Sequence, residues 1–484
     1  TMKQASIVLF LLFTANALYA EHLPGGSITY KCVGNSLYEI NLTLFRECSG
    51  TAMIPQEMRY DSDCGISFVR ANMLPDATME TSQLCAASMA NSNCNGGPLS
   101  GYLVYTYIDT LFLTPCDGWT ISWDICCRSA SLNLSATPGL YMEAKLNNVP
   151  APCNSSSQFT QQSLPNVCVN QPIIYDAGAV DDNAFRRNFS LVDARYYGGS
   201  PALVTYTFPN YGGEPIVGMT IDAASGEISF TPTNIGNIVT VIQVDEYDSS
   251  DIWIGSVMRD LPFVVVACTN APPDPHSGTI ASITGDCEQT GERSLSICSN
   301  GEFCLTTGIN DPTASDVISL TTNIDQVIPG ATIQISGTNP VTATICGNAN
   351  GTSIGIHPFT ITAVDNACPI PGLQVYTYQL TIVTSDDPLC SSIGIQELEQ
   401  PTIRVHPNPT NDRIIITGTL GTNGNWQLSL FDLQGRKVLE RTVALTSDGA
   451  VLSLTTIIAN GTYSLKLTDL TNGTTINTSV ILDR

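Results

Sequence analysis

Seventeen cysteines, unevenly strung, constrain this chain more than any other feature. Ten lie between Cys32 and Cys168, none between Val169 and Ala267, seven between Cys268 and Cys390, and none after that. Thiols at this density belong in an oxidising compartment, where they pair. Ten can pair among themselves. Seven leave one over, so an odd thiol or a bridge between blocks is expected. Zinc is the competing use, but structural zinc takes paired C-x2-C knuckles. Here Cys126 and Cys127 are adjacent, and Cys298 and Cys304 are too far apart. Disulfides are expected, with their connectivity left open.

The stretches between the cysteines read as strands. Tyr38, Ile40, Leu42 and Leu44 alternate with Glu39, Asn41 and Thr43. That period of two marks a strand with one buried face. Gly101–Thr114 and Trp119–Arg128 are rich in aromatic and β-branched residues, with Trp119 and Trp123 expected in a core. No long stretch carries the 3.6-residue apolar period of an amphipathic helix. The expected fold is all-β: serial, disulfide-bonded β-sandwich domains of Ig-like type. A chain of 484 residues suggests about three or four domains. The segments are 21–165, a disulfide-rich block; 166–268, free of internal cysteine; 269–385, opening on the stiff Ala271-Pro272-Pro273-Asp274-Pro275 joint; a polar tether, 386–401; and 402–484. Residues 1–20 read as a secretory signal peptide, with Lys3, an apolar run from Ile7 to Phe13, and Ala15-Asn16-Ala17 or Ala20 for cleavage. The run is too short for a membrane helix, and no second run of membrane length follows.

The net charge of −24 excludes nucleic acid as a partner, because phosphate binding needs clustered Lys and Arg. Between Thr269 and Pro401 there are thirteen acids and one base, Arg293. Acidic loops raise calcium as a cofactor, since hard oxygen ligands on flexible loops suit it. The candidates are Asp181 and Asp182 (with Asn183) near the start of the second block, and Asp245, Asp248 and Asp251 (with Glu246) near its end. Asp311 and Asp365 are weaker counterparts in the third block. The competing expectation is solvent-facing turns.

Chemistry is harder to find. Gly351-Thr352-Ser353-Ile354-Gly355 matches G-x-S-x-G, but a nucleophile elbow needs a strand before it and a helix after it. An Asn/Gly-rich loop precedes it and an apparent strand follows, so a turn is expected. His22, His276, His357 and His406 fall in four separate segments, and H-E-x-x-H is absent. Tyr196, Tyr197 and Tyr211 could stack on sugars, or cap a sheet edge. Asp109-Thr110-Leu111 fits a D-[ST]-hydrophobic O-glycosylation pattern, but falls in a strand and is expected buried.

Three stretches carry resemblances. The last segment opens with Arg404-Val405-His406-Pro407-Asn408-Pro409, centres on Asp432-Leu433-Gln434-Gly435-Arg436, and closes through Gly461-Thr462-Tyr463. In that order and spacing it resembles the type A C-terminal sorting domain of the Bacteroidota type IX secretion system. The resemblance implies that Pro407, Asn408, Pro409, Asp432, Gly435, Gly461 and Tyr463 form the sorting motif. It implies the secretion machinery and its surface sortase as partners, and a secreted or cell-surface location. Ser225-Gly226-Glu227-Ile228-Ser229-Phe230-Thr231-Pro232, followed by the strand Ile238–Val244, resembles Ig and cadherin-like repeats of bacterial surface proteins. The third block repeats that order and is expected to be a second such unit. The segment 22–48, with Asp117–Arg128, resembles the opening domain of large Bacteroidota surface proteins, which implies location rather than chemistry. The expectation is a structural or adhesin-like surface protein, not an enzyme, with surface glycans or other cells as further partners. The alternatives are a carbohydrate-binding accessory of a polysaccharide-degrading system, and a hydrolase in the first block.

Overall fold

The computed structural model describes residues 23–181, 185–268, 270–390, 403–418, 424–445, 449–454, 458–470 and 475–484. The expected signal peptide, Asp182, Asn183 and most of the 386–401 tether lie outside them. The chain divides into two compact units, 1–391 and 392–484. Among the described residues, Ile324–Val327 is the only α-helix, and the rest of the ordered backbone is strand with two 3₁₀ turns.

The alternating segment forms the strand Leu37–Glu47, with Tyr38, Ile40, Leu42 and Leu44 fully buried. It sits between Gly25–Gly34 and Tyr102–Phe112, antiparallel to both. Trp119 and Trp123 are buried as expected. Thr110 is a correction: it lies in the strand Tyr102–Phe112 but is exposed, because the strand's outward face carries it.

The first two blocks are not separate sandwiches. Trp253–Val266 forms a long hairpin with Gly236–Tyr247. Its other edge pairs with Leu140–Leu146, with Gly25–Gly34 and with Asn166–Cys168 in turn. A strand from the second block thus runs through the middle of the first block's sheet. It is buried on both faces, so its apolar residues do not alternate with exposed ones. The two charges inside it are held differently. Arg128 and Asp260, each with a side chain 1% exposed, form an ion pair at 2.5 Å. Arg259 donates to the Gln161 carbonyl at 2.5 Å and lies over Phe45 and Phe159.

The third block is a two-sheet sandwich. One sheet orders Ile280–Gly285, Glu302–Ile309, Val341–Asn348 and Thr332–Gly337; the other orders Cys287–Gly291, Ser294–Cys298, Leu373–Val383, Gly355–Val364 and Ser319–Thr322. Between them pack Leu295, Phe303, Leu305, Ile345, Phe359, Ile361 and Tyr378. This sandwich is joined to the preceding blocks. Ile174 N donates to Gln374 Oε1 at 2.8 Å, Gln374 Nε2 to the Pro172 carbonyl at 3.0 Å, and Gln83 Nε2 to the Pro371 carbonyl at 3.0 Å.

Disulfides complete the join. The pairs are Cys32–Cys153, Cys48–Cys94, Cys64–Cys116, Cys85–Cys368, Cys126–Cys127, Cys168–Cys268, Cys298–Cys390 and Cys304–Cys346. The first ten cysteines do not close on themselves: Cys85 leaves the first block for Cys368, and Cys168 pairs with Cys268 at the far end of the second. Cys287 is the free thiol.

The C-terminal unit has two sheets. One orders Ile403–His406, Arg413–Gly418 and Ala450–Ser453; the other orders Lys437–Leu445, Gly424–Phe431, Gly461–Asp469 and Thr475–Leu482. Ile414, Ile416, Trp426, Leu428, Leu430, Leu452, Tyr463, Leu465, Leu467 and Val480 fill its core.

Candidate functional site

The second block's acids were expected to gather round a cation, and those described do not. Asp245 accepts from Trp253 Nε1 at 3.2 Å and Gln243 Nε2 at 3.0 Å. Asp248 caps the hairpin turn, accepting from the Ser250 and Ile252 backbone N–H groups at 2.8 and 2.9 Å. Asp251, at φ +62°, pairs with Arg186 at 2.5 Å. Asp181 follows the short strand Ala179–Val180 of a separate two-stranded sheet, and Ser157 Oγ donates to it at 3.4 Å. The four acids thus serve a turn, an ion pair and two hydrogen-bond networks.

Glu246, between Asp245 and Tyr247, points inward and is fully buried. It accepts from the Ser157 backbone N–H at 2.5 Å and from Asn154 Nδ2 at 3.3 Å. Burial first, then the nearby Asp181, pushes its carboxyl well above the usual range. Burial likewise lowers the neighbouring Arg187, whose Nη1 donates to the Ala179 carbonyl at 2.8 Å.

The third block behaves differently. Asp311 follows the strand Glu302–Ile309, and Asp365 follows Gly355–Val364, so both sit at one pole of the sandwich. Asp316, from the same loop as Asp311, joins them, and carboxylate oxygens of the three lie within 4.8 Å of one another. Sequence reasoning named Asp311 and Asp365 and missed Asp316. Its only trace is the Asp311-Pro312-Thr313-Ala314-Ser315-Asp316 spacing, which no helix or strand period flags. Asp311 and Asp365 are 5% and 4% exposed. Asp311 Oδ1 accepts the Thr313 N–H at 2.7 Å, while Asp311 Oδ2 and Asp316 Oδ2 are buried without a hydrogen-bond partner. Asp365 Oδ1 accepts from Ala367 N and Gly372 N, each at 2.9 Å. Asp365 Oδ2 accepts from Asn270 Nδ2 at 2.6 Å. The Asn339 amide braces the loop, donating to the carbonyls of Asp311 and Thr313 at 3.2 and 3.0 Å. Burial raises the carboxyls of Asp311 and Asp365, and the neighbouring acids add to it.

The remaining chemistry candidates are accounted for structurally. Ser353 sits in a turn before the strand Gly355–Val364, and its backbone oxygen bonds His357 Nε2 at 2.8 Å. His357 is 5% exposed, and burial lowers its basicity. A polar cavity of about 440 Å³ lies between the second and third blocks, lined by Asp222, Glu227, His276, Glu292 and Arg293 among others. Two of its charges, Glu227 and Arg293, pair with each other at 3.0 Å. Of the tyrosines, Tyr197 stacks on Tyr141 and lies under Arg59, Tyr196 is half-buried, and Tyr211 is 55% exposed.

The tail places its motif where it holds the unit together. Asn408 Oδ1 accepts the Ile481 N–H at 2.7 Å, and its Nδ2 donates to the Ser479 carbonyl at 2.9 Å. Pro407 and Pro409 flank it, so the opening of the domain is pinned to its last strand. Asp432 closes the hairpin: Oδ1 accepts from Gln434 N and Arg436 N, and Oδ2 from Arg436 Nε at 2.7 Å. The Arg436 backbone N–H is the main reason the Asp432 carboxyl is held below the usual range. Gly435 sits at φ +76°, where a side chain is disfavoured. Gly461 opens the strand Gly461–Asp469, in which Tyr463 is buried and donates to the Ala459 carbonyl at 2.7 Å.

Residues 404–482 match the secretion system C-terminal sorting domain family. Among curated proteins no relative matches the chain. Similar solved structures include the N-terminal four Ig domains of Dscam1 isoform 6.44, at 9% identity over 95% of this chain and 99% of that one, with a TM-score of 0.17. The mouse nectin-like molecule 4 ectodomain is 13% identical over 66% of this chain and 96% of its own, TM-score 0.14. An endo-fucoidan hydrolase of glycoside hydrolase family 107 is 13% identical over 68% of this chain and 44% of its own, TM-score 0.15. At such scores the fold rests on the strands described above. No helix among the described residues is long and apolar enough to cross a membrane.

Proposed function

Because the chain ends in a type IX sorting domain, and so belongs among secreted or cell-surface proteins, we propose that what precedes it is a passive scaffold, structural or adhesive at the cell surface. The tail is the observation that carries this. It engages the secretion machinery, and a surface sortase then removes it within the 386–401 tether. The upstream unit suits work outside the cell. Its disulfides and interblock hydrogen bonds lock three blocks without help from chaperones or ATP. The test is deletion of 402–484, followed by fractionation of cells and medium. The truncated chain is expected to stay in the periplasm, and its appearance in the medium at normal levels would refute the proposal. Mass spectrometry of the mature protein is expected to place its C-terminus within 386–401.

A second reading has one specific observation behind it. Phe208 is 93% exposed, three residues from the 55% exposed Tyr211. Exposed rings on a Gly/Pro loop are what a sugar face stacks on. Binding on a glycan array that Phe208→Ala and Tyr211→Ala abolish would favour a carbohydrate-binding role over a purely structural one.

A further inference from the structure

We propose that Asp311, Asp316 and Asp365 bind one Ca²⁺ ion, and that the ion locks the joint leaving the second block onto the loop pole of the third. The first support is geometric. Three oxygens no more than 4.8 Å apart share a centre about 2.8 Å or less from each, close to the roughly 2.3–2.6 Å of calcium–oxygen bonds. The second is an unmet need. Asp311 is 5% exposed, yet its Oδ2 has no hydrogen-bond partner, and Asp316 Oδ2 is in the same state. A buried carboxylate oxygen without a partner is costly, and a cation removes the cost. The protein supplies no such cation. Among the described residues no Lys or Arg forms an ion pair with any of the three. Arg293, the one base between Thr269 and Pro401, is committed to Glu227.

The donor set selects the metal. All three ligands are carboxylates, with no His or Cys in the group, which disfavours zinc. They come from two loops of irregular shape, which calcium tolerates and magnesium, with its strict octahedron, does not. The loops are braced beforehand: Asn339 ties the first, and Asp365 Oδ1 is fixed by two backbone N–H groups.

The ion would join more than its ligands. Asn270, in the joint after Cys268, donates to Asp365 Oδ2 and accepts from Thr313 Oγ1 at 3.3 Å. The loop carrying Asp365 also carries Cys368, bonded to Cys85 of the first block. Binding here therefore draws the joint, the Asp311 loop and the disulfide-anchored loop to one point.

The site stands on its own geometry, so its failure would leave the export proposal untouched. The test is calorimetric titration of the calcium-stripped full chain with CaCl₂, alongside thermal melts and limited proteolysis of the 268–275 joint. We expect one saturable site per chain, a higher melting temperature, and joint cleavage slowed severalfold by CaCl₂ but not by equal MgCl₂. Asp311→Asn and Asp316→Asn should each weaken binding at least tenfold, while Asp251→Asn leaves it unchanged. Asp316 is only half-buried, so its variant decides the matter even where Asp311→Asn fails to fold. No saturable heat with no melting shift, or binding unaltered by Asp316→Asn, would overturn the proposal. An equal response to MgCl₂ would overturn the choice of calcium.

Discussion

Arg293 Nη1 stands 3.0 Å from Glu227 Oε2, and the same carboxylate oxygen accepts the Thr377 backbone N–H at 3.0 Å. One oxygen of the second block thus holds both a side chain and a strand of the third. Arg293 Nη2 in turn donates to the carbonyls of Pro275 and Ser277 at 2.9 and 3.2 Å, and the guanidinium lies 5.1 Å from the centre of the Tyr376 ring. The far end of the Pro-rich joint is therefore clamped rather than left as a spacer.

Truncating this brace should loosen the junction. Arg293→Met keeps the stem and removes every donor, leaving Glu227, 23% exposed at the side chain, without its partner. The expected loss is roughly 2–3 kcal/mol, below that of a fully buried pair. Urea denaturation of the full chain measures it. The double variant Arg293→Met/Glu227→Gln should recover part of the loss.

Acidity should reveal a second junction residue. Asp176 is 3% exposed, accepts from Gly178 N at 2.7 Å and Thr377 Oγ1 at 2.9 Å, and burial still pushes its carboxyl up to about 6. The folded state thus holds this proton more tightly than the unfolded one. Stability from this group is full below the unfolded value near 4, and is lost as pH rises through about 6. Its share between pH 4 and pH 8 is on the order of 3 kcal/mol. Melting curves of wild type and Asp176→Asn across that range should converge at low pH. At pH 8 the variant should be the more stable.

The bridge between Cys85 and Cys368 spans 283 residues of sequence. Cys85→Ser with Cys368→Ser should cost about 2–4 kcal/mol, the usual effect of such a cross-link. Peptide mapping without reduction should recover the pair from wild type. Alkylation of the native protein should label Cys287 ahead of the other cysteines of the described unit.

In the tail, Asn408→Ala removes both ties between the opening of the domain and its last strand. A loss of about 1–2 kcal/mol is expected. The readouts are greater protease sensitivity of the tail and a lower secreted fraction of the full chain. An unchanged secreted fraction would mean that the machinery reads the sequence without the packed domain.

What the sequence disclosed depended on the range of the signal. The alternation of Tyr38, Ile40, Leu42 and Leu44 is local, and so is the Asp432–Arg436 turn; both were legible. The tail's identity came from several local signals in order. The partner of Trp253–Val266 was not legible, because a strand buried on both faces loses its alternation and gives no hint of its neighbours. The acidic pole was half legible. Asp311 and Asp365 are brought together by the sandwich, and Asp316 by an irregular loop whose course no period foretells. The second block's described acids are held apart by strand geometry. Adjacent positions on a strand, such as Asp245 and Glu246, point to opposite faces, a separation that a list of nearby acids does not show.

The place of Trp253–Val266 beside Gly25–Gly34 governs how this protein can be made and moved. A sheet whose central rung is threaded last cannot close while that rung is still on the ribosome or inside a translocation channel. The first 250 or so residues must therefore wait, with edges bare, for the hairpin that completes them. Fragments cut near residue 165 would inherit that unfinished state for good. Functional dissection of this molecule should consequently proceed by point substitution, not by expressing its apparent modules one at a time.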